Sequence, residues 1–139
     1  MFLSEEEKMR YITYSLACKL LDHGFSIKHL EDDLDKTMVF YKDGTYFQIG
    51  GDIEAPLSPA EKELLQNATW IPTREELEWW LYTHDFSFTI VHDQDSDLVR
   101  CHDTISGTDY TQTVPSPVIF DHALAYLILK ILKKHERAF

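Results

Sequence analysis

The sequence is poor in glycine, proline and basic residues, and each shortage excludes a class of protein. Five Gly and five Pro among 139 residues are too few for long flexible linkers. Thirteen Lys and Arg stand against 24 Asp and Glu, so the formal net charge is −11. A surface this acidic is repelled by nucleic-acid phosphates and by anionic lipids. We therefore expect no direct binding to nucleic acid and none to a membrane.

Cysteine and long hydrophobic runs are also scarce. The two cysteines, Cys18 and Cys101, form no CxxC pair. The longest apolar run, Ala123–Leu129, is far shorter than the roughly 20 residues that span a bilayer. The residues from Met1 to Lys8 lack the basic start and apolar core of a secretory signal. Together these features predict a cytoplasmic protein with reduced thiols.

Apolar and aromatic residues, in contrast, are plentiful enough for a core. The chain is 44% hydrophobic and 13% aromatic, which favours one folded domain over residues 1–139. Its most apolar part follows Ser116-Pro117, a pair that is typical of a helix start. The helix predicted there is apolar on most sides across the range Ala123–Leu132. Such a helix must be covered on most sides, either by the rest of the chain or by a second copy in a homodimer.

Capping residues indicate where the other helices begin and end. Ser4 with Glu7, and Thr73 with Glu76, match the capping box. Helical spacing of apolar residues follows Ser4, and Gly24 is expected to end that first helix. Ser58-Pro59 predicts a further short helix through about residue 66.

Alternating apolar and polar residues predict five or six strands. The expected ranges are 25–30, 37–42, 45–49, 86–91, 98–102 and 109–113. Asp43-Gly44, between two β-rich segments, favours a type I′ hairpin. The predicted fold class is therefore α+β: a mainly antiparallel sheet with about four helices packed on it.

Two parts of the chain resemble each other. Asp22-His-Gly-Phe-Ser-Ile27 is similar to Thr83-His-Asp-Phe-Ser-Phe88, and Ser58-Pro59 is similar to Ser116-Pro117. Each half, 1–68 and 69–139, is predicted to run helix, strands, helix. This is either a chance match of cap and turn residues or a duplicated α-β-β-α unit. In a duplicated unit, the strands of both halves could join into one sheet.

Histidine, aspartate and cysteine are concentrated between residues 84 and 103. Asp93, Asp95 and Asp97 have the spacing that opens a calcium-binding EF-hand loop. The sixth position of that loop is Leu98 instead of glycine, and the twelfth is Thr104 instead of glutamate. A calcium site of this type is therefore not expected.

A zinc or nucleophilic site in the same segment would use His84, His92, Cys101 and His102. Cys101 and His102 are neighbours on a predicted strand, so their side chains point to opposite faces. No phosphate loop, dinucleotide fingerprint or Gly-x-Ser-x-Gly motif occurs in the chain. We expect no catalytic residue, metal or cofactor, and keep an enzyme or a small-ligand or metal-binding domain built on these four residues as an alternative.

Trp79 and Trp80 are adjacent on a predicted helix, so they point about 100° apart and cannot both enter one core. Leu77, Leu81 and His84 share a face with Trp80, which predicts that Trp80 is buried. Trp79 then lies beside Tyr82, three residues on, on the other side. That pair either covers the edge of the core or anchors a partner protein.

The charge pattern favours a protein partner. Residues 52–110 contain thirteen Asp and Glu against three Lys and Arg, and such a surface suits a basic partner. The leading hypothesis is a non-catalytic cytoplasmic module of the inhibitor, immunity or accessory type that sequesters such a partner. A structural homo-oligomer joined through the C-terminal helix is a further alternative. The candidate partner-binding residues are Glu75, Glu76, Glu78, Trp79, Tyr82, Asp93, Asp95 and Asp97.

Overall fold

The computed structural model describes residues 2–27, 38–49, 58–92, 96–115 and 120–137. Within them it shows one α+β domain made of five helices and six strands, which confirms the predicted fold class. In chain order the elements are α1 Glu5–Lys8, α2 Tyr14–Asp22, β1 Met38–Lys42, β2 Thr45–Ile49, α3 Pro59–Leu65, β3 Thr69–Ile71, α4 Arg74–Thr83, β4 Phe86–His92, β5 Ser96–Asp103, β6 Asp109–Pro115 and α5 Phe120–Arg137.

The predicted capping boxes form at the starts of α1 and α4. The Glu7 amide donates to the Ser4 hydroxyl at 3.1 Å, and the Ser4 amide donates to the Glu7 carboxylate at 3.2 Å. At α4 the Thr73 amide donates to the Glu76 carboxylate at 3.0 Å. These bonds satisfy amides that a helix start leaves without a partner inside the helix.

The first helix is shorter than predicted, because the helix ends after Lys8 and a second helix begins at Tyr14. Thr13 caps the new helix by accepting a hydrogen bond from the Leu16 amide at 3.2 Å. A threonine that bonds forward in this way competes with continuation of the preceding helix. The break brings Ile12 into the core, where it is fully buried. Gly24 ends α2 in the left-handed region at φ 91°, as predicted.

The strands form two separate antiparallel sheets, ordered β2-β1-β3 and β4-β5-β6. Asp43 at φ 50° and Gly44 at φ 83° make the predicted hairpin turn between β1 and β2. The strands predicted over 86–91, 98–102 and 109–113 are confirmed as β4, β5 and β6. Among the described residues the strands of the two halves do not join into a single sheet, and the second side of β1 pairs with β3. Of the strand predicted over 25–30, residues 25–27 are irregular and residues 28–30 lie outside the described residues.

Helix α5 occupies the centre of the domain. Seven of its apolar side chains are at most 6% exposed: Ala123, Leu124, Ala125, Leu127, Leu129, Ile128 and Ile131. The cover is supplied by α2, α4, β5 and β6 of the same chain. Of the large apolar and aromatic side chains described on α5, only that of Tyr126 is exposed, at 41%. The predicted start at Ser116-Pro117 lies outside the described residues, and no helix of the described residues is long and apolar enough to cross a membrane.

The similar segments in the two halves adopt similar turns. Gly24 at φ 91° and Asp85 at φ 64° both follow a histidine that caps the end of a helix, His23 for α2 and His84 for α4. The next residues, Phe25 and Phe86, are both buried. Their rings lie 6.0 and 6.1 Å from the ring of Trp80. The duplicated unit itself stays a prediction, since Phe86 begins a strand and Phe25 does not.

Candidate partner-binding site

Helix α4 separates its two adjacent tryptophans as predicted. The side chain of Trp80 is 4% exposed. It stacks on the ring of His84 at 4.2 Å and lies between Phe25 and Phe86. The Trp79 side chain is only half-buried, and its ring centroid lies 5.8 Å from that of Tyr82. One helix face therefore belongs to the core, and the next carries a surface pair of aromatic rings.

The surface pair forms one wall of a shallow groove of about 380 Å³. Phe88, on β4, supplies the floor between the helix and the sheet, and Glu75 and Glu78 supply carboxylates along the wall. Tyr82 is 72% exposed, among the largest values of any large apolar or aromatic side chain described. We call these five residues the α4 groove.

Arg74, beside the α4 groove, forms an ion pair with Glu78. Arg74 Nε donates to Glu78 Oε1 at 3.1 Å, one helical turn along the exposed face. Glu75 is exposed on the first turn of α4. Glu78 is therefore partly neutralised in the free protein, and Glu75 carries the more accessible negative charge.

Glu76 lies apart from the groove, although its neighbours in sequence belong to it. Its side chain is 2% exposed, and its Oε1 accepts from the Thr73 amide at 3.0 Å. Capping turns this carboxylate back towards the start of the helix and buries it. Placing Glu76 on a partner-binding surface is therefore not supported by its position.

The structure does not describe the side chains of the other acidic candidates, Asp93, Asp95 and Asp97. Asp93 and Asp95 lie outside the described residues. Asp97 lies on β5 opposite His92 in the strand register, and the side chains of neither are described. Their role in partner binding stays a prediction.

Of the four residues of the alternative site, the structure describes the side chains of His84, Cys101 and His102, and it does not cluster these three. Cys101 is fully buried, and burial, helped by Asp103, raises the pKa of its thiol to about 12. His102 lies on the opposite face of β5, where its Nδ1 is 2.7 Å from the Asp109 carboxylate. His84 packs on Trp80, with its Nδ1 2.8 Å from the Trp80 carbonyl oxygen. Among the described residues no three His, Cys, Asp or Glu side chains are placed to hold a metal ion.

The burial of Cys101 predicts a large difference in thiol reactivity. In the folded protein, iodoacetamide should modify Cys18, which is half-buried, much faster than Cys101. A thiol with a raised pKa is almost entirely protonated at neutral pH, and the thiolate is the nucleophile. Peptide mass spectrometry after timed alkylation gives both rates, with denatured protein as the control in which they converge. Faster native modification of Cys101 would contradict this account of the strand.

A second cavity, of about 510 Å³, lies on the other side of α4. Trp80, His84 and Phe86 line it, together with Leu132 from α5 and Asp103, the last residue of β5. Its walls come from segments far apart in the chain, so the cavity could not be predicted from the sequence. The only signal was the match between the two His-Gly/Asp-Phe turns, since Gly24 also lines the cavity.

A buried carboxyl at the start of α5 is coupled electrostatically to the groove. Asp121 is 8% exposed. Burial raises the pKa of its carboxyl to about 6; Arg74 opposes this rise and Glu78 adds to it. The folded pKa lies above the ordinary value, so the folded protein binds this proton more tightly than the unfolded chain does. The stabilisation is complete below about pH 4 and is lost as the pH rises through about 6.

Asp121→Asn should therefore stabilise the protein at pH 7, by up to about 3 kcal/mol, because a buried charge is removed. Urea denaturation between pH 4 and pH 7 is the measurement. The wild-type free energy of unfolding should fall across that range more than the variant's. If the variant is less stable than the wild type at pH 7, the attraction between Asp121 and Arg74 outweighs the cost of burial.

No family model, curated protein or solved structure matches this chain.

Proposed function

We propose that this protein is a non-catalytic binding module that captures a basic partner protein, in the manner of an inhibitor, an immunity protein or an accessory factor. The observation that carries the proposal is the α4 groove. It places the half-buried Trp79 and the exposed Tyr82, with ring centroids 5.8 Å apart, beside the carboxylates of Glu75 and Glu78.

Aromatic rings and carboxylates have complementary parts in recognising a cationic side chain. The face of an aromatic ring attracts an ammonium or guanidinium group, and a nearby carboxylate supplies the opposite charge. A guanidinium group is planar, so it stacks on indole and phenol rings more readily than an ammonium group does. The groove therefore fits an arginine side chain of the partner best.

The charge of the whole molecule supports the same class of partner. With a net charge of −11, the protein attracts basic surfaces over distances of about 8–10 Å at moderate salt. Attraction of this kind raises the rate of association, and aromatic anchors slow dissociation. The proposed partner is thus a protein with an exposed arginine in a basic segment.

Reversing one charge of the groove should weaken binding to a basic probe. The probe is a peptide of about ten residues in which arginine alternates with threonine, hereafter the arginine probe. Glu75→Lys should raise its dissociation constant about tenfold, measured by calorimetry at about 50 mM salt.

Glu6→Lys is the matched control, since Glu6 is exposed on α1 and the change in net charge is the same. Its effect should be much smaller. Equal weakening by both variants would show that net charge alone attracts the probe. No measurable binding of the arginine probe to the wild type would overturn the proposal.

The second cavity favours one other candidate function, the binding of a small aromatic amine. Its volume of about 510 Å³ falls in the usual range for small-molecule sites. The rings of Trp80 and Phe86 line the cavity, and so does Asp103, whose carboxylate also accepts hydrogen bonds from the Ile105 and Ser106 amides. Tryptamine is a suitable probe: at millimolar concentration it should shift the NMR signals of His84 and Trp80. Unchanged signals would exclude this candidate.

A further inference from the structure

The strand that supplies the floor of the α4 groove lies at the edge of its sheet. β4 pairs with β5 in the antiparallel register Phe88↔Cys101, and β6 lies beyond β5. Within the described ranges, no strand pairs with the other side of β4. An exposed edge of this kind is a template on which a further strand can form.

The hydrogen-bond pattern identifies which residues present their backbone groups at this edge. The Thr104 amide donates to the Asp85 carbonyl at 3.0 Å, so this pair faces inward between β4 and β5. Hydrogen-bonded and non-hydrogen-bonded pairs alternate along an antiparallel ladder. Ser87 and Thr89 therefore face β5, and Phe86, Phe88 and Ile90 direct their N–H and C=O groups outward.

The α4 groove lies directly beside those outward groups. Helix α5 packs on β5 and β6, and α4 packs on β4. The second cavity, which includes Leu132 of α5, is on the inner side of α4, whereas no residue of α5 lines the groove. Phe88 belongs to both features, because its ring lines the groove and its backbone groups face the edge.

We propose that the partner binds as an extended basic segment that joins β4 as a fourth, antiparallel strand and places an arginine side chain in the α4 groove. The inference rests on the proposed function and specifies how the partner is held. In an antiparallel ladder, directly opposite residues point to the same face of the sheet. A residue opposite Phe88 would therefore point its side chain towards Trp79 and Tyr82, and would exchange both backbone hydrogen bonds with Phe88.

Two N-methylated forms of the arginine probe test this arrangement. One form carries a methyl group on every arginine amide, and the other on every threonine amide. The arginine N–H groups face β4 when the arginine side chains face the groove. Methylation of the arginine amides should weaken binding at least about tenfold, and methylation of the threonine amides should change it much less. The full-length protein is used, with calorimetry as the measurement.

The outcomes separate the two proposals. Selective loss on arginine methylation supports strand addition in the antiparallel direction. Equal effects of both methylations, with binding of the parent probe still dependent on Trp79, would overturn strand addition and leave the groove function standing. Selective loss on threonine methylation would overturn the antiparallel arrangement. If the parent probe does not bind, both proposals fail.

Discussion

Trp80→Ala should lower the free energy of unfolding by about 3–5 kcal/mol, the range for truncation of a large buried aromatic residue. The Trp80 side chain is 4% exposed. Its ring contacts Phe25, His84 and Phe86, which join the segment after α2, the end of α4 and the start of β4 in one cluster. Truncation would leave a cavity between these elements, since Phe25 and Phe86 are anchored by their own backbone turns. Urea or guanidinium denaturation measures the loss.

Trp79→Ala is the matched control, because the same residue type is removed one position away. We expect its stability to lie within about 1 kcal/mol of the wild type, as for most surface substitutions. Similar losses for the two variants would contradict the assignment of one tryptophan to the core and the other to the surface.

Trp79→Ala should weaken partner binding more than Trp80→Ala does. We expect it to weaken binding of the arginine probe about 30-fold, or about 2 kcal/mol, the threshold for an interface hot spot. The indole is the largest ring in the groove, and the face it offers a guanidinium group is lost on truncation. Calorimetry on the folded variant gives the dissociation constant.

Tyr126→Ala serves as the control for nonspecific contact with aromatic side chains. Tyr126 is 41% exposed, but it lies on α5 outside the groove. The Tyr126→Ala variant should bind the arginine probe with the same dissociation constant as the wild type. Equal weakening by Trp79→Ala and Tyr126→Ala would show that the probe adheres to exposed aromatic rings in general.

Elements set by local chemistry were predictable from the sequence. A capping box involves residues three apart, and the Asp43-Gly44 turn needs two adjacent residues with positive φ, so the evidence for each lies within a few positions. The burial of Trp80, and the placement of Trp79 on the next, more exposed face, were predictable for the same reason. Their relative direction depends only on the helical repeat.

Features set by tertiary pairing were not predictable. Whether β1 pairs with β3 or with a strand of the second half depends on contacts distant in sequence, and both pairings satisfy the same alternation of residues. The interruption of the first helix at Thr13 was missed because the apolar spacing continues through Ile12. The apolar spacing favours a continuous helix there, whereas burial of Ile12 in the core requires a break, and the break is what forms.

The candidate site likewise has one part that the local sequence predicts and another that depends on tertiary structure. Trp79 and Tyr82 are three residues apart on one helix, so their pairing followed from the sequence. Phe88 joins them only because α4 folds back on β4 through the Asp85 turn, which no local pattern reveals. Glu76 is buried in its capping role, itself predicted, so its side chain turns away from the surface that its neighbours share; its part in partner binding stays a prediction.

The most direct test of the account is the response of the three tryptophan indole N–H signals to the arginine probe in a two-dimensional NMR titration. Trp70 packs on Phe25 with ring centroids 5.5 Å apart, Trp80 is buried, and Trp79 lines the groove. We predict that the Trp79 signal moves with the backbone amides of Glu75, Glu78 and Tyr82, while the Trp70 and Trp80 signals stay in place. Movement of the Trp80 signal without that of Trp79, or no movement of any of the three, would contradict the claim that the α4 groove binds a basic partner.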